Sequence, residues 1–561
     1  MHRAGAVRNR VPTATASHYP APVVPELILH EDADLLVVNK PPGWNTHSPS
    51  PYTGEGVYDW LRHRQPRWAG LAIIHRLDKA TSGVLVFAKS PLANRSLTGQ
   101  FARREVAKTY RLATRHPVGF DRLVVRTGLR RQGERYLATP PGKAAELAET
   151  QFEVHQRSGE FTQMLATPVT GKTHQIRVHA AANGFPIFGD ELYGGEPAAR
   201  LWLHAESLQF RHPATGKPVT FRAPVDFALD PHRALREAII DTEATDAWRV
   251  WHGAAEARGA LPLREDGPAF YGDRFGPYLL AQSAVQLTAD QLDFLRQVSE
   301  RDGLRGVYHK PLRRDVRGKT SDQASPRLVL GEAASEAFAI RENGLRFEIR
   351  FGEGYSVGLF LDQRDNRRRL LVNHIAADFP VFPSGAADAE ALNVFAYTCG
   401  FSLCAAKAGA RTTSLDLSRK YLDWGRRNFA LNGLDPAAHD FIYGDAFEWL
   451  RRLAKKGRRF DAVLLDPPTF STSKPTGVFR AESDFGRLLA AALPLVKPAG
   501  LIFASTNAAD LEPERFLEIA RRAIEAGGRR IAKQHYAPQP PDFPVSRAEP
   551  AYLKTVWLRL D

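Results

Sequence analysis

Apolar positions along this chain follow two rhythms. In the first part they come as short β-branched runs, Leu71-Ala72-Ile73-Ile74 and Val84-Leu85-Val86-Phe87-Ala88, which read as buried strands. Between residues 229 and 250, Leu235, Ile239, Ile240 and Trp248 are spaced as one apolar face, which predicts a helical connector. The middle region, 251–380, predicts a loop at Tyr271-Gly272-Asp273-Arg274-Phe275-Gly276-Pro277 and a strand at Tyr278-Leu279-Leu280. A helix over 289–301 and strands over 327–331 and 344–351 complete it. From about 381 onward, strand runs alternate with amphipathic helices: Leu392-Asn393-Val394-Phe395, Thr412-Thr413-Ser414-Leu415, Phe441-Ile442-Tyr443, Ala462-Val463-Leu464-Leu465 and Leu501-Ile502-Phe503-Ala504. Such alternation predicts a parallel, doubly wound, Rossmann-like sheet. The expected division is a flexible tail at 1–25, a first domain at 26–228, the connector at 229–250, a middle α+β domain at 251–380 and an α/β domain at 381–561.

Length and charge narrow what these domains do. At 561 residues the chain is too long for one core. Its 43% hydrophobic and 25% charged content is ordinary for globular protein. A net charge of +14 and a pI near 9.7 favour a polyanionic partner, RNA or DNA. Cys399 and Cys404 are the only cysteines, which excludes a disulfide framework and a Cys-rich zinc site and suits the reducing cytosol. No apolar run approaches the roughly 18 residues of a membrane span, and Met1 to Pro20 lacks the apolar core of a secretory signal.

Candidate chemistry first appears at His75-Arg76-Leu77-Asp78-Lys79-Ala80-Thr81-Ser82-Gly83, on the turn between the two early strands. An aspartate flanked by His, Arg and Lys is held ionised by its neighbours and presented on a rigid scaffold, as a nucleophile or base requires. The stretch resembles the signature of RluA-type pseudouridine synthases. Further ordered motifs carry the resemblance over roughly residues 26 to 228. They are Glu31-Asp32-Ala33-Asp34-Leu35-Leu36-Val37-Val38-Asn39-Lys40-Pro41-Pro42-Gly43, Lys108-Thr109-Tyr110, Gly171-Lys172-Thr173-His174-Gln175-Ile176-Arg177-Val178-His179, Gly189-Asp190-Glu191-Leu192-Tyr193-Gly194 and Leu203-His204-Ala205-Glu206-Ser207-Leu208.

The resemblance implies a mixed, largely antiparallel fold and isomerisation of uridine without a cofactor. It makes Asp78 the nucleophile or base and Arg177 its ionic partner, with bidentate geometry fixing the direction. Tyr110 is expected to stack on the flipped base and take the C5 proton. Arg76 is expected to fill the stacking gap, offsetting part of the few kcal/mol that flipping costs. His75, His174 and His179 are expected to hydrogen-bond, and no metal is called for.

A parallel sheet binds its ligand beyond the carboxyl ends of its strands, and polar residues cluster there. Ala396-Tyr397-Thr398-Cys399-Gly400-Phe401-Ser402 follows the first strand, with Gly400 expected to let backbone approach the ligand. Asp416, about 20 residues on, suits the ribose hydroxyls. Gly444-Asp445-Ala446-Phe447 follows the third strand, and Asp445 is expected at the adenine edge. Asp466-Pro467-Pro468-Thr469-Phe470 follows the fourth. Helix capping is the bland alternative for each aspartate.

The array resembles class I S-adenosylmethionine-dependent methyltransferases, and more narrowly the RlmK/RlmI group acting on large-subunit ribosomal RNA. Gly358-Leu359-Phe360-Leu361-Asp362-Gln363-Arg364-Asp365-Asn366-Arg367, Asp466 to Lys474 and Tyr552-Leu553-Lys554 carry that narrower likeness. The group's PUA-like RNA-binding module is not evident after residue 250. Asp362, Gln363 and Arg364 are expected in the site wall, and Phe470 against the target base. With no cysteine in the Asp466 loop or in Ala504-Ser505-Thr506-Asn507, covalent attack on cytosine C6 is disfavoured. The RlmK likeness implies guanine N7. The reading is a bifunctional RNA-modifying enzyme in the cytoplasm. Its alternatives are a synthase whose second half only binds RNA, and a non-catalytic ribosome-assembly factor.

Overall fold

The computed structural model describes residues 27–141, 146–256, 270–312, 325–354, 356–473, 477–546 and 549–561. The expected tail at 1–25 and Lys474 lie outside them. Among the described residues no helix is long and apolar enough to cross a membrane.

The first portion is built on an eleven-stranded sheet in which only Ser82–Ala88 and Leu203–Arg211 pair in parallel. Ser82–Ala88 is buried at every position, as its unbroken apolar run predicts for a central strand. Gly83, at φ 115°, stands where this strand meets Ala205. A Cβ there would lie 2.2 Å from the Ala205 carbonyl oxygen, so the pairing requires glycine.

The expected connector is a helix only over Pro231–Ile239, started by the Asp230 side chain. Trp248 belongs instead to the strand Ala247–His252, which opens a five-stranded sheet. The expected loop at 271–277 is mostly the next strand, Phe270–Phe275, and only Gly276-Pro277 turns. Its polar look is explained by a buried ion pair, Asp273 with Arg249, whose Nε–Oδ1 distance is 2.5 Å. Tyr278–Ser283, Gly306–Pro311 and Arg327–Gly331 complete the sheet, crossed by the helix Ala289–Arg301 behind a Thr288–Gln291 capping box. This sheet and its helix occupy residues 247–331. A hairpin, Phe338–Glu342 with Leu345–Ile349, leads into the last portion.

The last sheet runs Asp440–Tyr443, Arg411–Asp416, Glu390–Val394, Phe460–Leu465, Val496–Thr506, Lys554–Leu560, Ile531–Tyr536. The first five are parallel, as expected; of the last two, which the apolar pattern did not reveal, Lys554–Leu560 runs antiparallel to both its neighbours, so Ile531–Tyr536 again points the same way as the first five. Strand order reverses between Glu390–Val394 and Phe460–Leu465, so the binding crevice of this fold opens beyond their carboxyl ends.

Between the portions lies the helix Arg364–Leu371, buried at every position although it carries four arginines. Arg364 forms a two-pronged pair with Asp542, and Arg367 one with Glu342. Arg368 donates to the carbonyls of His63 and Arg64, at the end of the helix Val57–Arg64 of the first portion. Arg364 is therefore part of this junction rather than of the site wall expected for it. Replacing Glu342 with Gln strands the Arg367 charge. It is expected to destabilise the protein by ~3–5 kcal/mol, with most of the loss recovered when Arg367 and Glu342 are both replaced by Met. Urea unfolding followed by tryptophan fluorescence checks this.

Candidate functional site

Asp78 sits on the loop between Ala72–Ile73 and Ser82–Ala88, and the loop is pinned from beneath. Thr46 Oγ1 donates to the Leu77 carbonyl at 2.9 Å and accepts the Leu77 N–H at 3.2 Å. The fully buried Lys40 ammonium donates to the carbonyls of Pro41, Trp44 and Lys79 at 3.0, 2.7 and 3.1 Å. Burial lowers the Lys40 pKa to about 7, against the opposing pull of the Asp78 carboxylate.

Asp78 opens on a cleft of about 810 Å³ that also holds Arg76, Lys108, Tyr110, His174 and Arg177. All four residues expected to be catalytic there, Asp78, Tyr110, Arg177 and Arg76, are thus brought together. The expected bidentate pair is corrected. Arg177 Nε and Nη2 grip the buried Asp190 at 2.7 and 2.6 Å, and only Nη1 reaches toward Asp78, at 3.9 Å. Asp190 aims the guanidinium; the remaining nitrogen faces the Asp78 carboxylate.

His174, in the left-handed region at φ 56°, hydrogen-bonds Tyr193 Oη through Nδ1 and places Nε2 3.9 Å from Asp78. Its pKa is lowered, chiefly by burial. The Tyr110 hydroxyl is pushed well up by burial and then by the Asp78 charge, so the phenol stays protonated at neutral pH. That suits stacking and hydrogen-bond donation better than removal of the C5 proton. His75 accepts the Val86 N–H, and His179 bonds Thr127 and Thr150. Sequence reasoning missed Asp190 and Lys40, although both lie in the quoted motifs; a buried lysine and a buried aspartate were the available signals.

The second cavity, about 1060 Å³, lies beyond the carboxyl ends of the last sheet's parallel strands. Gly400, Asp416, Asp445, Asp466, Pro467 and Pro468 all line it, as do Asp362, Gln363 and Phe470. The loop after the first strand is strongly bent: Phe395, Tyr397 and Cys399 have φ of 62°, 48° and 61°. Each such aromatic costs of order 1–3 kcal/mol unless its surroundings impose it. Asp416 imposes part of it, accepting the Tyr397 N–H at 2.8 Å through Oδ2 and the Ser418 N–H at 2.8 Å through Oδ1. Gly400 is corrected in part. A Cβ there would meet Arg367 Cδ at 3.2 Å and Leu359 Cδ1 at 3.5 Å, so the glycine accommodates the helix beneath it. Asp445 caps the helix Ala446–Lys455 by accepting the Glu448 N–H, which makes the bland alternative true of it while it still lines the cavity.

Asp466 stands just beyond the strand Phe460–Leu465, partly buried in the cavity wall. Burial pushes its carboxyl up to about 6, with Gln363 Nε2 3.3 Å from both oxygens. Asp362, also raised by burial, accepts the Tyr552 hydroxyl at 3.0 Å, tying the C-terminal motif to the cavity. Cys399 and Cys404 are buried and unpaired and do not line the cavity, and burial pushes the Cys399 thiol up to about 12. The lining fits S-adenosylmethionine: a carboxylate at the second strand end for the ribose diol, the start of the helix Gly400–Ala408 beside it, and acids facing a cation.

Comparison with known proteins finds relatives of both portions of the chain. Residues 34–182 match the RNA pseudouridylate synthase family, and residues 311–559 match the S-adenosylmethionine-dependent methyltransferase family. A ribosomal RNA large subunit methyltransferase of Deinococcus radiodurans is 32% identical over 368 residues, covering 63% of this chain and 83% of that protein. Ribosomal RNA large subunit methyltransferase I of Aeromonas salmonicida is 33% identical over 394 residues, 67% of this chain and 92% of that protein. Ribosomal large subunit pseudouridine synthase C of Salmonella typhimurium is 37% identical over 219 residues, 36% of this chain and 68% of that protein. The chain therefore belongs, by its front portion, to the RNA pseudouridine synthases and, by its rear portion, to the S-adenosylmethionine-dependent large-subunit rRNA methyltransferases, and it is an enzyme of both kinds.

Proposed function

We propose that this chain modifies large-subunit ribosomal RNA twice in the cytosol, converting a uridine to pseudouridine in the Asp78 cleft and methylating a base in the Asp466 cavity. The printed functions of its relatives and the net charge of +14 support the substrate. Two free, buried cysteines suit a reducing compartment.

In the first reaction Asp78 initiates cleavage of the N-glycosidic bond as nucleophile or base, uracil turns, C5 joins the ribose carbon and gives up its proton to solvent or to Asp78, and N1 takes a proton in return. Arg177, aimed by Asp190, sets one guanidinium nitrogen beside the carboxylate. Tyr110 stacks on the flipped base, and Arg76, exposed in the cleft, takes the place the base leaves. The observation that carries this reading is the convergence of Asp78 and the one free arm of Arg177 in a cationic cleft.

In the second reaction Asp416 holds the ribose of S-adenosylmethionine, Gly400 and the bent loop before it hold its methionine end, and Asp445 its nucleoside half. The bound cofactor supplies an electrophilic methyl on a sulfonium. Pro467 and Pro468 stiffen the strand-end turn that presents the target, and Phe470 stacks on it. No cysteine reaches the cavity, which favours direct attack by a ring nitrogen, guanine N7, over a covalent route to cytosine C5.

Three measurements test these assignments. Asp78→Asn is expected to lower pseudouridine formation on rRNA transcripts more than ~10³-fold with the fold intact; survival at the native rate overturns the first assignment. S-adenosylmethionine affinity, followed by calorimetry, is expected to rise as pH passes upward through about 6. Asp466 then ionises opposite a cation, and Asp466→Asn should flatten this dependence. Mass spectrometry of nucleosides from RNA treated with the enzyme should show 7-methylguanosine; 5-methylcytidine in its place overturns the nitrogen assignment.

A further inference from the structure

One cluster outside both clefts is unexplained by either reaction. Glu55 precedes the helix Val57–Arg64, His63 lies in that helix's last turn, and His535 lies on Ile531–Tyr536, the edge strand of the methyltransferase sheet. Each offers one donor atom, and the three donors lie within 4.8 Å of one another. Glu55 Oε1 is 2.7 Å from His63 Nδ1, and the two imidazoles meet edge to face with centroids 4.4 Å apart. His535 Nε2 is buried with no hydrogen-bond partner. A buried ring nitrogen without a partner is costly unless something engages it.

We propose that Glu55, His63 and His535 bind a divalent transition-metal ion, zinc by preference, across the junction between the synthase and methyltransferase portions. Two imidazoles and one carboxylate form a donor set that zinc takes in tetrahedral geometry, with water in the fourth position. Magnesium and calcium ask for oxygen ligands and fit poorly. Small rotations of the two rings bring the donors to the roughly 2.0–2.2 Å that zinc requires.

The surroundings set the strength. Arg369 Nη2 is 3.4 Å from Glu55 Oε1, and Arg368 lies on the His63 carbonyl. These guanidiniums repel a dication, so binding depends on donor strength and is weaker than in closed structural zinc sites. A carboxylate has two oxygens and serves a guanidinium and a metal together. The ion would fasten the helix Val57–Arg64 of one portion to the outermost strand of the other. It takes part in neither reaction, so the inference stands apart from the residue assignments above.

The test uses the full chain, stripped with a chelator, dialysed against zinc chloride and analysed for bound metal. One equivalent of zinc is expected, with a zinc-dependent rise in Tm. His535→Ala and His63→Gln are each expected to weaken binding more than ~10-fold and to abolish the rise. Equal zinc in the native chain and both variants, or none retained by the native chain, overturns the proposal. Should the variants misfold, cobalt(II) added to the stripped native chain decides alone. Tetrahedral ligand-field bands support the site, and a spectrum indistinguishable from aqueous cobalt overturns it.

Discussion

The constraint on which the architecture rests is the burial of arginines on the helix Arg364–Leu371. A guanidinium cannot shed its charge, so each one taken out of water dictates where an acceptor must stand. Arg364 dictates Asp542, in the loop after the methyltransferase edge strand, and Arg367 dictates Glu342, in the hairpin that leads into that portion. Arg368 takes up the free carbonyls at the end of the helix Val57–Arg64, where the helix dipole also favours a cation. A single short helix thus specifies how three parts of the chain meet. It gives specificity of arrangement rather than a large net gain in stability, because desolvation offsets much of the attraction.

Much of the fold could be read from apolar rhythm. The helix Ala289–Arg301 falls where the pattern put it, because it buries a periodic face, and the strand Arg327–Gly331 follows its β-branched and aliphatic run although it is mostly exposed. The same rule misread Tyr271 to Phe275, where a buried aspartate and its arginine partner make a strand look like a loop. It also passed over Lys554–Leu560 and Ile531–Tyr536, whose polar members are paired across the sheet or against neighbouring portions. Boundaries drawn from composition assign Trp248 to a helix because a one-dimensional pattern cannot tell that the chain has already turned into a sheet.

Site residues were legible to the extent that a motif names residue types. Asp78, Tyr110, Arg76 and Arg177 share a cleft, and all six residues named for the cofactor share a cavity. What sequence could not give was pairing. Arg177 has one carboxylate to hold it and another to act on, and only geometry separates Asp190 at 2.6 Å from Asp78 at 3.9 Å. Likewise Arg364 stands two positions from Asp362 yet points away from the cavity that Asp362 lines, as helical geometry turns neighbouring side chains to different faces.

The buried junction also governs what kind of RNA can serve both reactions. Separating the portions would take the His63 and Arg64 carbonyls from Arg368 and Glu55 from Arg369, so the distance between the two clefts is set by the protein. On the function proposed above, the fixed offset would act as a ruler: two nucleotides at that spacing in folded RNA would be modified in a single visit, while any other pair would require the RNA to leave and return in a new pose.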